Sequence, residues 1–88
     1  MMSHWNHRVI KNIIHNEITF AIHEVYYNEH DKPVSWTNKS VAPIGSTLEE
    51  LKSDLEFQKR AFEKPVLEIA IIDGEEKLIE ASMSEALE

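Results

Sequence analysis

The sequence predicts an α+β fold: two layers, with one helix at about residues 47–63 packed on one face of a mostly antiparallel sheet of four to five strands, in the order strand, strand, strand, helix, strand. Three observations predict it. The run Ile18-Thr19-Phe20-Ala21-Ile22-His23-Glu24-Val25-Tyr26-Tyr27 alternates with period two and is rich in β-branched and aromatic residues. Gly45-Ser46-Thr47-Leu48-Glu49-Glu50-Leu51 reads as a helix start placed directly after an alternating strand pair. Asp73-Gly74, behind an apolar run, is the strongest two-residue hairpin signal in the chain.

The elements follow in order. Residues 5–14 carry Trp5, Val9, Ile10, Ile13 and Ile14 with Arg8 and Lys11 between them, a spacing that fits a short strand and fits a helical turn nearly as well. In the next strand Ile18, Phe20 and Ile22 share one face, and Thr19, Ala21 and His23 the other. Residues 28–33 read as a hairpin loop, with Pro33 fixing φ and removing a donor. Val34 and Trp36 resume the alternation on one side, and Pro43 and Gly45 lead the chain off the sheet.

At the helix start, Ser46 and Thr47 are both good N-caps, each with a glutamate three residues on. Either register makes a capping box, and both carboxylates fall where the helix dipole favours negative charge. Leu48, Leu51, Leu55 and Phe62 form a stripe expected to pack on Phe20, Ile22, Ile69 and Ile71, with Phe57 and Ala61 widening it. Lys59, Arg60 and Lys64 fall in the last turn, and Pro65 ends the helix because the residue before a proline is pushed out of the α region. Residues 66–72 form a strand, with residues 77–80 returning alongside. The expected organisation is a single domain over 1–80 and a frayed acidic tail over 81–88. The sheet face away from the helix, carrying part of Trp5, Val25, Tyr27 or Trp36, is expected to stay partly apolar. Val25, Tyr27 and Trp36 are the candidate interaction surface, and dimerisation is its expected use.

Composition excludes several classes. With no cysteine, neither a disulfide framework nor a thiolate zinc site is possible, which is compatible with a reducing cytoplasm. No run approaches the roughly 18–20 apolar residues of a membrane helix, and the first residues lack the apolar region of a signal peptide, so a soluble cytoplasmic protein with no membrane partner is expected. Net charge is −7, unevenly spread: residues 73–88 hold six acids against one lysine, and residues 1–72 ten acids against eight bases. No basic stripe is available for a phosphate backbone, so nucleic acid is not an expected partner. The acidic end either attracts a basic protein or serves as a solubilising segment.

Catalytic chemistry finds little support. His4 and His7 are three apart and, with His23 or a carboxylate, would match a zinc site in ligand type, but no HExxH motif accompanies them. His23 and Glu24, adjacent on a strand, point to opposite faces, and Glu49 and Glu50 are accounted for by capping. No serine stands in a nucleophile-elbow context, and two glycines cannot build a phosphate-cradling loop. No catalytic residue and no cofactor is therefore nominated. Tyr26, Tyr27 and Trp36 either form an aromatic platform for a single strand or a peptide, or fill the core and its edges.

The runs Ile22-His23-Glu24-Val25-Tyr26-Tyr27, Trp36-Thr37-Asn38 and Ala42-Pro43-Ile44-Gly45-Ser46-Thr47-Leu48-Glu49-Glu50-Leu51 resemble a family of small bacterial proteins of unknown function, over about residues 5–69. That resemblance implies no catalytic residue. Gly45, Thr47, Leu48, Glu49 and Glu50 also resemble the Gly-x-Thr-Leu-Glu-Glu helix start of HicB-type antitoxins, whose ribonuclease-H-like domain has three strands, a helix and a strand. The Pro-Asp-Leu-Pro-Gly segment of those antitoxins is replaced here by Asn38-Lys39-Ser40-Val41-Ala42-Pro43, and residues 73–88 are too few and too acidic for a DNA-reading module. This second resemblance implies the fold and neutralisation of a small basic ribonuclease, without promoter binding. The expected function is a non-enzymatic protein-interaction module, a homodimer or the partner of a basic protein. The alternatives are the antitoxin and a small metal-dependent enzyme or binder using His4, His7 and His23.

Overall fold

A computed structural model describes residues 2–81. His15 and Asn16 both adopt positive φ, 51° and 67°, the pattern of a two-residue turn whose twist matches that of antiparallel strands. The turn joins β1 (Met2–Ile14) to β2 (Glu17–Asn28), paired without a break from His4 to Ile14 and, past an irregularity in register, again at Met2. The helical alternative for the first segment is thereby excluded. β1 is longer than its apolar spacing suggests because Ser3, His4, Asn6 and His7 place polar groups on both faces and leave no period to read.

The Asn28 side-chain carbonyl closes the second turn by accepting from the backbone N–H of His30 (2.9 Å) and Lys32 (3.1 Å). β3 (Pro33–Trp36) then returns antiparallel to β2. Beyond it, Thr37 and Val41 donate their N–H groups to Glu24 and Ile22 carbonyls and hold the following strap along the β2 edge. The helix α1 (Leu48–Gln58) tightens into a 3-10 segment, Lys59–Glu63, and Lys64 is extended at φ −122°, as its position before Pro65 requires. β4 (Leu67–Ile72) pairs parallel to β1, and β5 (Glu75–Glu80) returns through Asp73-Gly74, both at positive φ. The result is an α+β fold with a five-stranded, mostly antiparallel sheet in the order β3-β2-β1-β4-β5. Of the tail expected over residues 81–88, Ser82 onward lies outside the described residues.

The core is not where the helix stripe places it. The two sheet edges, β3 and β5, touch each other, so the sheet coils on itself. Inside the coil lie Ile10, Val25, Tyr27, Leu67 and Leu78, with Trp36 and Ile69 packed against them. The helix sits on the outer face instead. It meets β1 through Phe57, whose ring packs edge-on against Trp5 (6.0 Å) and His7 (5.1 Å), and through the 3-10 segment, where Ala61 is buried, with Gln58 buried at the junction. The expected packing of Leu48, Leu51, Leu55 and Phe62 on Phe20, Ile22, Ile69 and Ile71 is corrected: the four helix residues, Phe20 and Ile71 are all exposed. The reason lies in β1. Its outward residues are Trp5, His7, Val9 and Lys11, an aromatic and polar surface that a ring, an amide and a small alanine fit better than leucines do. Val25 and Tyr27, expected on an interaction surface, are buried, and Trp36 packs beside them. The coil supplies the second layer that covers them.

Candidate functional site

Among the exposed apolar side chains of the described residues, two groups form continuous surfaces, one on the helix and one at the end of the first hairpin. At the helix N-terminus the Thr47 hydroxyl accepts from the Glu50 N–H (3.1 Å). The Glu50 carboxylate reaches back to the Ser46 N–H (3.2 Å) and hydroxyl (2.7 Å). The capping box is therefore shared between Ser46 and Thr47, and the Ser46 hydrogen bonds hold the Glu50 carboxyl below its ordinary value. The Asp54 carboxylate accepts from the Ile44 N–H (2.9 Å) and the Gln58 amide (3.3 Å), pinning the strap to the helix. Gly45 makes this close approach possible, since a Cβ there would stand 2.7 Å from Glu50 Cβ and closer still to the Leu51 nitrogen. So fixed, Pro43 joins Leu48, Leu51, Leu55 and Lys52 around an open, almost wholly apolar groove of about 550 Å³.

The second surface is the free end of the β1–β2 hairpin. Ile13 pairs with Ile18, and Phe20 lies opposite Lys11, all on the outer face. Ile13 is 66% exposed, Ile18 57% and Phe20 50%. Thus the stripe that reads as a core-facing helix side faces away from this chain's own interior, and so does Phe20 of the strand residues expected beneath it, whereas Ile69 packs against the core.

The candidate histidines are dispersed. His4 lies on the inner face, stacked on the Tyr27 ring at 4.8 Å. His7, three residues on, points to the outer face under Phe57. His23 is buried, its Nδ1 3.0 Å from the Thr37 carbonyl. No three His, Cys, Asp or Glu side chains among the described residues gather around a common point able to hold a metal. Tyr26 donates its hydroxyl to Glu24, which raises the phenol above its ordinary value, and Tyr27 hydrogen-bonds to Arg8 and Asn6. Arg8 was not a candidate from sequence: a lone arginine in an uncertain strand carries no signal that it will be buried.

No protein-family model, curated protein or solved structure matches the chain. Among the described residues, no helix is long and apolar enough to cross a membrane.

Proposed function

We propose that the protein is a non-enzymatic interaction module whose first partner is a second copy of itself. The observation that carries this reading is the pairing of two unsatisfied apolar surfaces: the Leu48-Leu51-Leu55 stripe with Pro43, and the Ile13-Ile18-Phe20 end of the hairpin. Each is the surface the other ordinarily packs on in a helix-on-sheet layer. A two-fold exchange, helix of one copy on hairpin of the other, covers both at once and closes the assembly. Pairing through β5 is opposed, because that strand lies against β3 of its own chain and carries Glu75, Glu76 and Glu80 against Lys77. The elongated outline supports the same reading, with a radius of gyration of 14.0 Å against about 12 Å for a self-contained chain of this length.

Size-exclusion chromatography with light scattering tests it. The wild-type chain is expected at twice its 10.2 kDa mass, and Leu51→Glu/Leu55→Glu at the monomer mass with unchanged circular dichroism. A wild-type monomer at every concentration defeats the proposal.

A second reading, neutralisation of a small basic ribonuclease, is favoured by the acidic β4–β5 hairpin with Asp73, Glu75, Glu76 and Glu80. It also suits the order of three strands, a helix and a strand after which the second resemblance is drawn. Salt-sensitive co-purification with such an enzyme supports it. Tight binding of the chain to DNA or RNA counts against both readings.

A further inference from the structure

Two cations of β1 are almost equally buried, and they differ in one respect. Lys11, 5% exposed, stands 3.8 Å from the Glu68 carboxylate. Arg8, 8% exposed, has only neutral partners: one terminal nitrogen donates to the Tyr27 hydroxyl (2.9 Å) and the other to the Pro65 carbonyl (2.8 Å). Its Nε is buried with no partner at all. Among the described residues no carboxylate forms an ion pair with Arg8. A guanidinium does not lose its proton inside a protein, so a full positive charge is held out of water without a counter-charge. Such a charge is costly unless something anionic completes it.

The surroundings show where that anion fits. Arg8 lies at the floor of a cleft of about 470 Å³ lined by His4, Asn6, Tyr27, Asp31 and Lys64. A second cleft of about 350 Å³ continues past Arg8 and Tyr27 between Pro33 and Leu78. Together they are of the size that receives a small organic molecule. Tyr27 uses its hydroxyl twice, accepting from Arg8 and donating to the Asn6 side-chain oxygen (2.8 Å), which fixes the guanidinium in place. Each terminal nitrogen of Arg8 retains a second N–H. Lys64 brings a second positive charge to the rim, and the stacked His4 and Tyr27 rings, 6° from parallel, form a flat wall. Two carboxylates border the clefts. Asp31 is 83% exposed and turned to His4 Nε2 at 3.5 Å, and Glu80 stands on the exposed β5 edge. Water screens both, and neither serves Arg8.

We propose that this cleft binds a small oxyanion-bearing ligand, a carboxylate or a phosphate ester, with its anionic group between Arg8 and Lys64. The proposal is independent of the dimer: it concerns the inner face of the sheet, and the dimer surfaces lie on the outer one.

Thermal unfolding of the full chain, with inorganic phosphate and citrate each titrated against chloride at matched ionic strength, tests it. A saturable rise in Tm is expected with at least one anion. A response to phosphate alone assigns a phosphate ester, to citrate alone a carboxylate, and to both a general oxyanion site. Lys64→Ala, a change at an exposed residue, is expected to shift the half-saturating concentration roughly tenfold upward, as loss of one charge-assisted contact does. Arg8→Gln is expected to abolish saturation. If that variant does not fold, the lysine variant still decides the matter. No saturable rise with either anion, or an identical titration in Lys64→Ala, overturns the proposal. Stabilisation by exclusion of phosphate from the surface is linear in concentration and indifferent to Lys64, so it counts as the overturning result.

Discussion

Leu55→Ala distinguishes a helix face that belongs to the core of one chain from a face that belongs to an interface. Leu55 is 44% exposed, so a little over half of its side chain is already out of water. Burying a whole leucine side chain contributes about 1.5–3 kcal/mol, so truncation is expected to cost the isolated chain about 1–1.5 kcal/mol, against about 2–5 kcal/mol for a leucine in a packed core. The remainder is expressed only when a second copy covers the groove, and then twice per assembly because the interface is two-fold. Urea unfolding of wild type and variant at roughly 1 µM and roughly 100 µM reads both quantities, since a hundredfold rise in concentration stabilises a dimer by about 2.7 kcal/mol. The wild-type midpoint is expected to rise with concentration and the cost of the substitution to rise with it. A cost of about 2–5 kcal/mol at both concentrations would show the leucine stripe buried within the monomer. A wild-type midpoint indifferent to concentration would remove the second copy. Either result refutes the reasoning.

Gly45→Ala is expected to lower stability by about 1–3 kcal/mol in thermal or urea unfolding, because the added methyl meets Glu50 and the Leu51 nitrogen where the strap crosses the first helical turn; an unchanged midpoint would mean the strap is not held there. The Glu50 carboxyl sits below its ordinary value of 4.5 because Ser46 donates to it, so its contribution is complete above that pH and lost as the pH falls through the lower folded-state value. Glu50→Gln, which cannot ionise, is expected to flatten that part of the acid limb of stability against pH, and an identical limb would deny the capping carboxylate its role.

The local punctuation of this fold is legible in the sequence, and the long-range choices are not. The shared cap at Ser46 and Thr47, the stop at Pro65 and the Asp73-Gly74 turn are each set by a few neighbouring atoms, and each occurs where those residues require. The His15-Asn16 turn carries no glycine or proline to mark it, and its two positive φ angles are set by the pairing of the long strands on either side. Which helix face packs inward depends on what β1 offers beneath it. An outer surface of Trp5, His7 and Lys11 favours Phe57, Gln58 and Ala61 over a stripe of leucines, and periodicity within the helix carries no information about that surface. For the same reason Val25 and Tyr27 read as leftovers: the coil that buries them is a property of the whole sheet. Arg8 is the extreme case, because its burial and its want of a counter-charge exist only once Tyr27 and Pro65 have been brought to it.

The parallel seam between β1 and β4 has a consequence for how the molecule opens. Among the described residues it is registered at two positions, Ile10 with Leu67 and Lys11 with Glu68, whereas β1 and β2 pair without a break from His4 to Ile14 and β4 and β5 pair along six. Each hairpin closes through a local turn, but the seam joins residues 57 apart in sequence, as the Arg8 bond to the Pro65 carbonyl measures directly. Contacts of that separation carry a large loop-closure cost, and two registered pairs give the seam little ladder to hold it. Amide hydrogen exchange should therefore divide the sheet into two cooperative units, β1 to β3 on one side and β4 with β5 on the other, with the seam as the first line of opening. A ligand held between Arg8 of β1 and Lys64, three residues ahead of β4, would slow exchange along the seam, well beyond the atoms it touches.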